Sequence, residues 1–291
     1  MKPEFTHNGQ ILLNDPKQVF VPHTGTIPVF LDLDGTMFKF RKDGESYKDI
    51  HGRDRNFHFE DLWEEGYYRL LPPIQEMVNA VNQLHDQEAF IIVDGKAVPI
   101  EFNILSAVLT DSNYAFNEKN TAVDEVLPWI PYENRVYVPC GDNAKADRIL
   151  ITERPIRFAD NSELYTPILI DDYSKNLWEW AGGTSKYNTK YRQTGIALKF
   201  YNGINNNFKT WESAGFRGIR YDDINLAQSL LIEIQACYDN FLLEHKLEQD
   251  VNRSSLFSLF AKDNPPVADI YAEAAKTFAY EQSIESRDEL L

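Results

Sequence analysis

Cysteine is almost absent: the 291 residues hold two, Cys140 and Cys237, and neither sits in a CxxC or Cys/His pattern. Two thiols cannot build a disulfide framework or a structural zinc site, so both read as buried or idle side chains. Positive charge is scarce too. With 29 Lys+Arg against 45 Asp+Glu the formal net charge is −16. Such a surface repels a polyphosphate backbone, which argues against a nucleic-acid polymer as partner. Long apolar runs are also missing, since no stretch of about 18 residues is apolar and uncharged. No membrane partner is expected. The opening MKPEFTHNGQILLNDP lacks the apolar core of a secretory leader. The expectation is a soluble cytoplasmic protein whose oligomeric state the chain does not reveal.

What is present is ordinary globular material. Hydrophobic residues make up 43% of the chain, with 18 Phe, 15 Tyr and 5 Trp, enough for a sizeable core and too much for global disorder. At roughly 150 residues per domain, one large domain or one with a small companion is expected. Thr26–Leu33 (TIPVFLDL) is a short run dense in β-formers, suited to a strand buried on both faces. Similar runs recur at 102–109, 135–139, 167–170 and 195–201. Between them, 73–84 and 118–127 repeat apolar residues at three- and four-residue steps, which predicts helices. Strands alternating with helices predict an α/β fold with a mainly parallel sheet. Residues 37–72 break the alternation with charge and aromatics and read as a small inserted cap. Residues 88–102 place Asp94-Gly95 between apolar runs, a hairpin signal. The stretch 226–242 predicts a closing helix, and the tail beyond Asn264-Pro265-Pro266 a separate short one.

Chemistry concentrates in Asp32-Leu33-Asp34-Gly35-Thr36, directly after the first buried strand. Acids there lie at a strand's carboxyl end, where open α/β sheets place their ligands. Two carboxylates so close repel unless a cation or a shared proton relieves them. Alone, the motif also fits a solvated turn or a helix N-cap. A second pair, Asp171-Asp172, follows the buried run 167–170. Parallel strands end on one edge, so the two pairs can converge into an oxygen nest suited to Mg²⁺, or equally Mn²⁺. Ser106 puts a hydroxyl inside an apolar run, as either a satisfied strand serine or a ligand-binding group. Lys145 follows the run 135–139, where an ammonium is either solvated or within reach of the same edge.

In this order and spacing the four elements resemble the haloacid dehalogenase superfamily of phosphohydrolases, over about residues 26–240. DLDGT looks like its first motif, Ser106 its second, Lys145 its third and the acids of DDYSKNL its fourth. The resemblance implies a Rossmann-like core over 1–36 and 87–250, a small, mostly helical cap over 37–86 and an extension over 251–291. It also implies an aspartyl-phosphate mechanism. Asp32 would be the nucleophile and Asp34 the acid and base. Mg²⁺ would be held by Asp32, Asp34, Asp171 and Asp172, and phosphate by Ser106, Lys145, Gly35 and Thr36. The expected substrate is a small phosphorylated metabolite.

Residues 32–120 are similar to the 5′-nucleotidase and 5′(3′)-deoxyribonucleotidase branch, which points to a nucleoside monophosphate stacked on Phe40, Trp63 and Tyr67. Ala107 after Ser106, the 88–102 hairpin and the tail depart from that branch. Two other readings remain: a non-catalytic module that binds a phosphorylated ligand, with 254–260 and 272–280 as an interface, and a phosphotransferase using the same aspartyl-phosphate.

Overall fold

The computed structural model describes residues 11–12, 19–140, 145–152, 155–182, 195–203 and 217–253. Twelve strands occur among them: β1 (Ile11–Leu12), β2 (Ile27–Leu31), β3 (Ser46–Lys48), β4 (Asp54–Asn56), β5 (Phe90–Val93), β6 (Lys96–Val108), β7 (Arg135–Pro139), β8 (Ile156–Arg157), β9 (Glu163–Leu164), β10 (Ile168–Asp171), β11 (Ile196–Tyr201) and β12 (Arg217–Arg220). The α-helices are α1 (Gln75–Asp86), α2 (Ala115–Val126), α3 (Ser174–Trp180) and α4 (Leu226–Arg253).

Eight strands form the main sheet, in the order β1-β7-β6-β2-β10-β11-β12, with β5 on β6. Every pairing along that path is parallel, and only β5 runs antiparallel. The fold is therefore α/β, as the alternation predicts. All five residues of β2 are buried, and its side chains divide by the period of two. Ile27, Val29 and Leu31 join one core cluster with residues of α1, α2 and α4, while Phe30 joins the opposite cluster with Leu177 and Trp180 of α3. Helices thus cover both faces of the sheet. From β2 the chain proceeds to β6 and β7 on one side, then returns to β10, β11 and β12 on the other. The carboxyl end of β2 is the point where strand order reverses, the place such sheets hold ligands.

The hairpin forms at the expected turn: Asp94 and Gly95 both have positive φ, at 48° and 78°, the conformation that suits the strand twist. Its second strand does not end there. β6 runs 13 residues, pairing with β5 early and with β2 and β7 later, so hairpin and second core strand are one element. α4 begins at the expected residue and continues past 242 to Arg253. In the inserted segment, β3 and β4 pair as an antiparallel ribbon and Phe59–Trp63 form a 3-10 turn, ahead of α1. The tail beyond residue 253, with its expected helix and interface stretches, lies outside the described residues.

Candidate active site

The 32–36 turn is fastened to the strand that ends in Asp171 through the backbone. Asp32, just past β2, donates its N–H to the Ile170 oxygen at 3.0 Å. The chain then turns around the Leu33 carbonyl, which accepts the N–H groups of Met37 and Phe38 at 2.9 Å and of Thr36 at 3.3 Å. Gly35 holds φ at +82°, and a Cβ there would overlap the Asp172 carboxylate. Both its backbone sign and its lack of a side chain are required. Gly35 N–H bonds the Phe38 oxygen at 2.7 Å, so Gly35 and Thr36 use their N–H groups within the turn. The Thr36 hydroxyl is buried without a partner among the described residues.

The two acid pairs meet around one lysine. Lys145 opens a 3-10 turn after β7 rather than an α-helix. Its Nζ lies 2.7 Å from Asp32 Oδ1 and 2.6 Å from Asp171 Oδ2. Asp171 Oδ1 accepts the Tyr173 N–H at 2.8 Å, and Oδ2 also takes Asn176 Nδ2 at 2.9 Å. Carboxylate oxygens of Asp32, Asp171 and Asp172 lie within 4.8 Å of one another, with Asp32 and Asp171 buried. Burial pulls the Lys145 ammonium down, but the Asp171 and Asp32 charges outweigh it and hold its pKa above the ordinary lysine value. Burial raises the carboxyls of Asp34, Asp171 and Asp172. For Asp172 the charges of Asp171 and Asp32 add to its desolvation and hold its carboxyl well above the usual range.

A second lysine, absent from the sequence reading, completes the site. Lys119 of α2 is 3% exposed, and its Nζ lies 2.5 Å from Asp34 Oδ2, 2.6 Å from the Ala107 oxygen and 3.3 Å from Ser106 Oγ. It thus joins Asp34 to Ser106, offsetting part of the burial that raises the Asp34 carboxyl. Ala115, Ala122 and Val123, spaced around it at helical steps, are all buried. Lys119 therefore occupies the apolar face of its helix, where an unpaired charge is costly, and that placement is the signal available in the sequence. Lys199, inside the wholly buried β11, carries a similar signal. Next to Lys119, the buried Glu118 accepts the N–H groups of Gly66 and Tyr68 at 2.5 and 3.1 Å, pinning the inserted segment to α2. The Tyr68 ring then lies 4.8 Å from Lys119 Nζ.

The three expected base-binding aromatics part company. Tyr67 is buried and stacked on Phe57 at 5.3 Å, so it belongs to the packing of the inserted segment. Trp63 meets Phe59 edge-on at 5.5 Å. Phe40 touches Phe57 edge-on at 6.4 Å and stays 41% exposed.

No protein-family model matches the chain, and no curated protein matches its sequence. The chemistry therefore rests on the residues themselves. Asp32, Asp171 and Asp172 offer hard oxygen donors within 4.8 Å of one another, the first two sharing the Lys145 ammonium, a set that fits a divalent cation. Asp34, set between that cluster and Lys119, has the surroundings of a proton carrier. Among the described residues no helix is long and apolar enough to cross a membrane.

Proposed function

We propose that the chain is a divalent-cation-dependent phosphomonoesterase of the haloacid dehalogenase superfamily, acting through an aspartyl-phosphate on a small phosphorylated metabolite of the nucleoside monophosphate class. The observation that carries this reading is the convergence of Asp32, Asp34, Ser106, Lys145, Asp171 and Asp172 on one sheet edge, joined by Lys119 and Lys145.

Lys145 holds Asp32 through Oδ1, leaving Oδ2 to attack phosphorus. The new O–P bond forms as the ester P–O bond breaks, and Asp34 gives its proton to the departing alkoxide. In the second half Asp34 takes a proton from water, the water oxygen bonds phosphorus, and the Asp32–phosphorus bond breaks to release inorganic phosphate. Burial of Asp34 favours its protonated form and Lys119 favours the ionised one, an opposition that suits a group working in both directions. A bound Mg²⁺, held by Asp32, Asp171 and the Asp34 main-chain oxygen beside Asp172, would supply the charge that lets an anionic nucleophile meet an anionic ester. Lys145 and Ser106 would present donors to the transferring phosphoryl oxygens, with Lys119 fixing Ser106 and Asp34 beside them.

The exposed ring of Phe40 supports an aromatic base as part of the substrate. The test is phosphate release from a panel of phosphomonoesters including 5′- and 3′-nucleotides, with and without Mg²⁺ and with an added alcohol acceptor. Cation-dependent release of inorganic phosphate, favouring nucleotides, is expected. Transfer to the alcohol in place of release would make the protein a phosphotransferase.

A further inference from the structure

The carboxyl end of β11 bears two side chains that the proposed steps do not use, and both hold Asp172. Lys199 pairs in register with Asp171 and donates from Nζ to the Asp172 main-chain oxygen and to Ser174 Oγ, each at 2.6 Å. Asn202, one residue past the strand, donates from Nδ2 to Asp172 Oδ2 and to the Gly35 main-chain oxygen, each at 2.9 Å. A primary amide nitrogen carries two N–H groups, and here they reach oxygens from two different loops. Gly35, Asp172 and Asn202 thus form a closed contact, and any side chain at position 35 would break it.

Asp172 is the member of the three-acid cluster that keeps part of its surface open, while Asp32 and Asp171 are buried and share Lys145. The Asp171 and Asp32 charges repel its carboxylate, while the Lys199 and Lys145 charges attract it without fixing its direction. A directed hydrogen bond fixes that direction. An amide restrains it without adding charge.

We infer that Asn202 is the positioning residue that keeps the Asp172 carboxylate in the cation-binding array and ties that array to the turn of the first motif through Gly35. The inference deepens the reading above and rests on it. Partners one shell out from metal ligands typically account for about 10–100-fold in affinity.

The test is calorimetric titration of the full chain with Mg²⁺ and with Mn²⁺, beside thermal unfolding in EDTA, for the wild type, Asn202→Leu and Asn202→Gln. Leucine keeps the size and loses both donors, whereas glutamine keeps both donors. Asn202→Leu is expected to bind either cation about 10–100-fold more weakly, with Asn202→Gln recovering most of the affinity. Equal affinity in Asn202→Leu and the wild type, or equal losses in both variants, would overturn the positioning role and leave the cation site standing. A wild type that binds neither cation would overturn the cation-dependent reading itself, and the inference with it.

Discussion

Replacing Lys145 with methionine removes an ammonium that touches both Asp32 and Asp171, at 2.7 and 2.6 Å. At an effective dielectric of about 20, each contact contributes roughly 6 kcal/mol of gross Coulomb attraction. Relieving the ammonium of its own desolvation returns several kcal/mol of that sum, and the buried acids lower the rest by taking up protons. A net loss of about 3–5 kcal/mol is expected at pH near 8 in EDTA, the usual cost of leaving a buried charge without its partner. At about 2–4 °C per kcal/mol, the midpoint of thermal unfolding falls by roughly 6–20 °C. Denaturant unfolding followed by circular dichroism measures the same quantity. The loss shrinks as pH falls, because burial already raises the Asp171 carboxyl and removing the ammonium raises it further, and Mg²⁺ restores more stability to Lys145→Met than to the wild type. A loss below about 1 kcal/mol, or one that does not change with pH, would refute the view that Lys145 counterbalances this cluster.

Asp34→Asn should lower kcat by about 10²–10⁴ while leaving the calorimetric Mg²⁺ affinity within a few-fold of the wild type, because it removes the proton carrier and keeps the main-chain oxygen. Lys119→Met frees Asp34 and Ser106 from their shared donor; a rise in KM for the phosphoester and a fall in kcat are both expected in steady-state assays. For Asp172 the folded state raises the carboxyl pKa, so the native protein binds this proton more tightly than the unfolded chain does. Stability tied to that proton is present at low pH and is lost as pH rises through the raised value. Asp172→Asn should therefore be more stable than the wild type near pH 8 in EDTA, by on the order of 1 kcal/mol, and no more stable near pH 4 in urea titrations.

The strands that position the site were legible because they are buried on both faces and stand out as apolar runs; β7 at Arg135–Pro139 begins and ends where the run does. The acids, Ser106 and Lys145 were legible for the converse reason, as polar groups at the ends of or within those runs. Lys119 was not, although it lies on the apolar face of FNEKNTAVDEV, because only the fold shows that Asp34 and Ser106 meet that face. Asn202 precedes Gly203 and reads as turn chemistry, and only the fold brings it to Gly35, far away in the chain. Edge strands and the inserted ribbon escaped because they are too short for a period of two to show; β12 reads RGIR and β3 SYK. The aromatic segment stood out as a break in the alternation, without showing which rings pack on each other. Tyr67 turned inward on Phe57 while Phe40 stayed open.

The proposed mechanism requires that Asp32 become phosphorylated during turnover. Enzyme turning over a nucleotide with Mg²⁺ would be quenched in acid, reduced with borohydride and mapped by peptide mass spectrometry, beside Asp32→Asn. Reductive conversion at position 32 is expected only when substrate and cation are both present, with no turnover in the variant. Undiminished phosphate release by folded Asp32→Asn, or turnover that leaves position 32 unmodified, would contradict it.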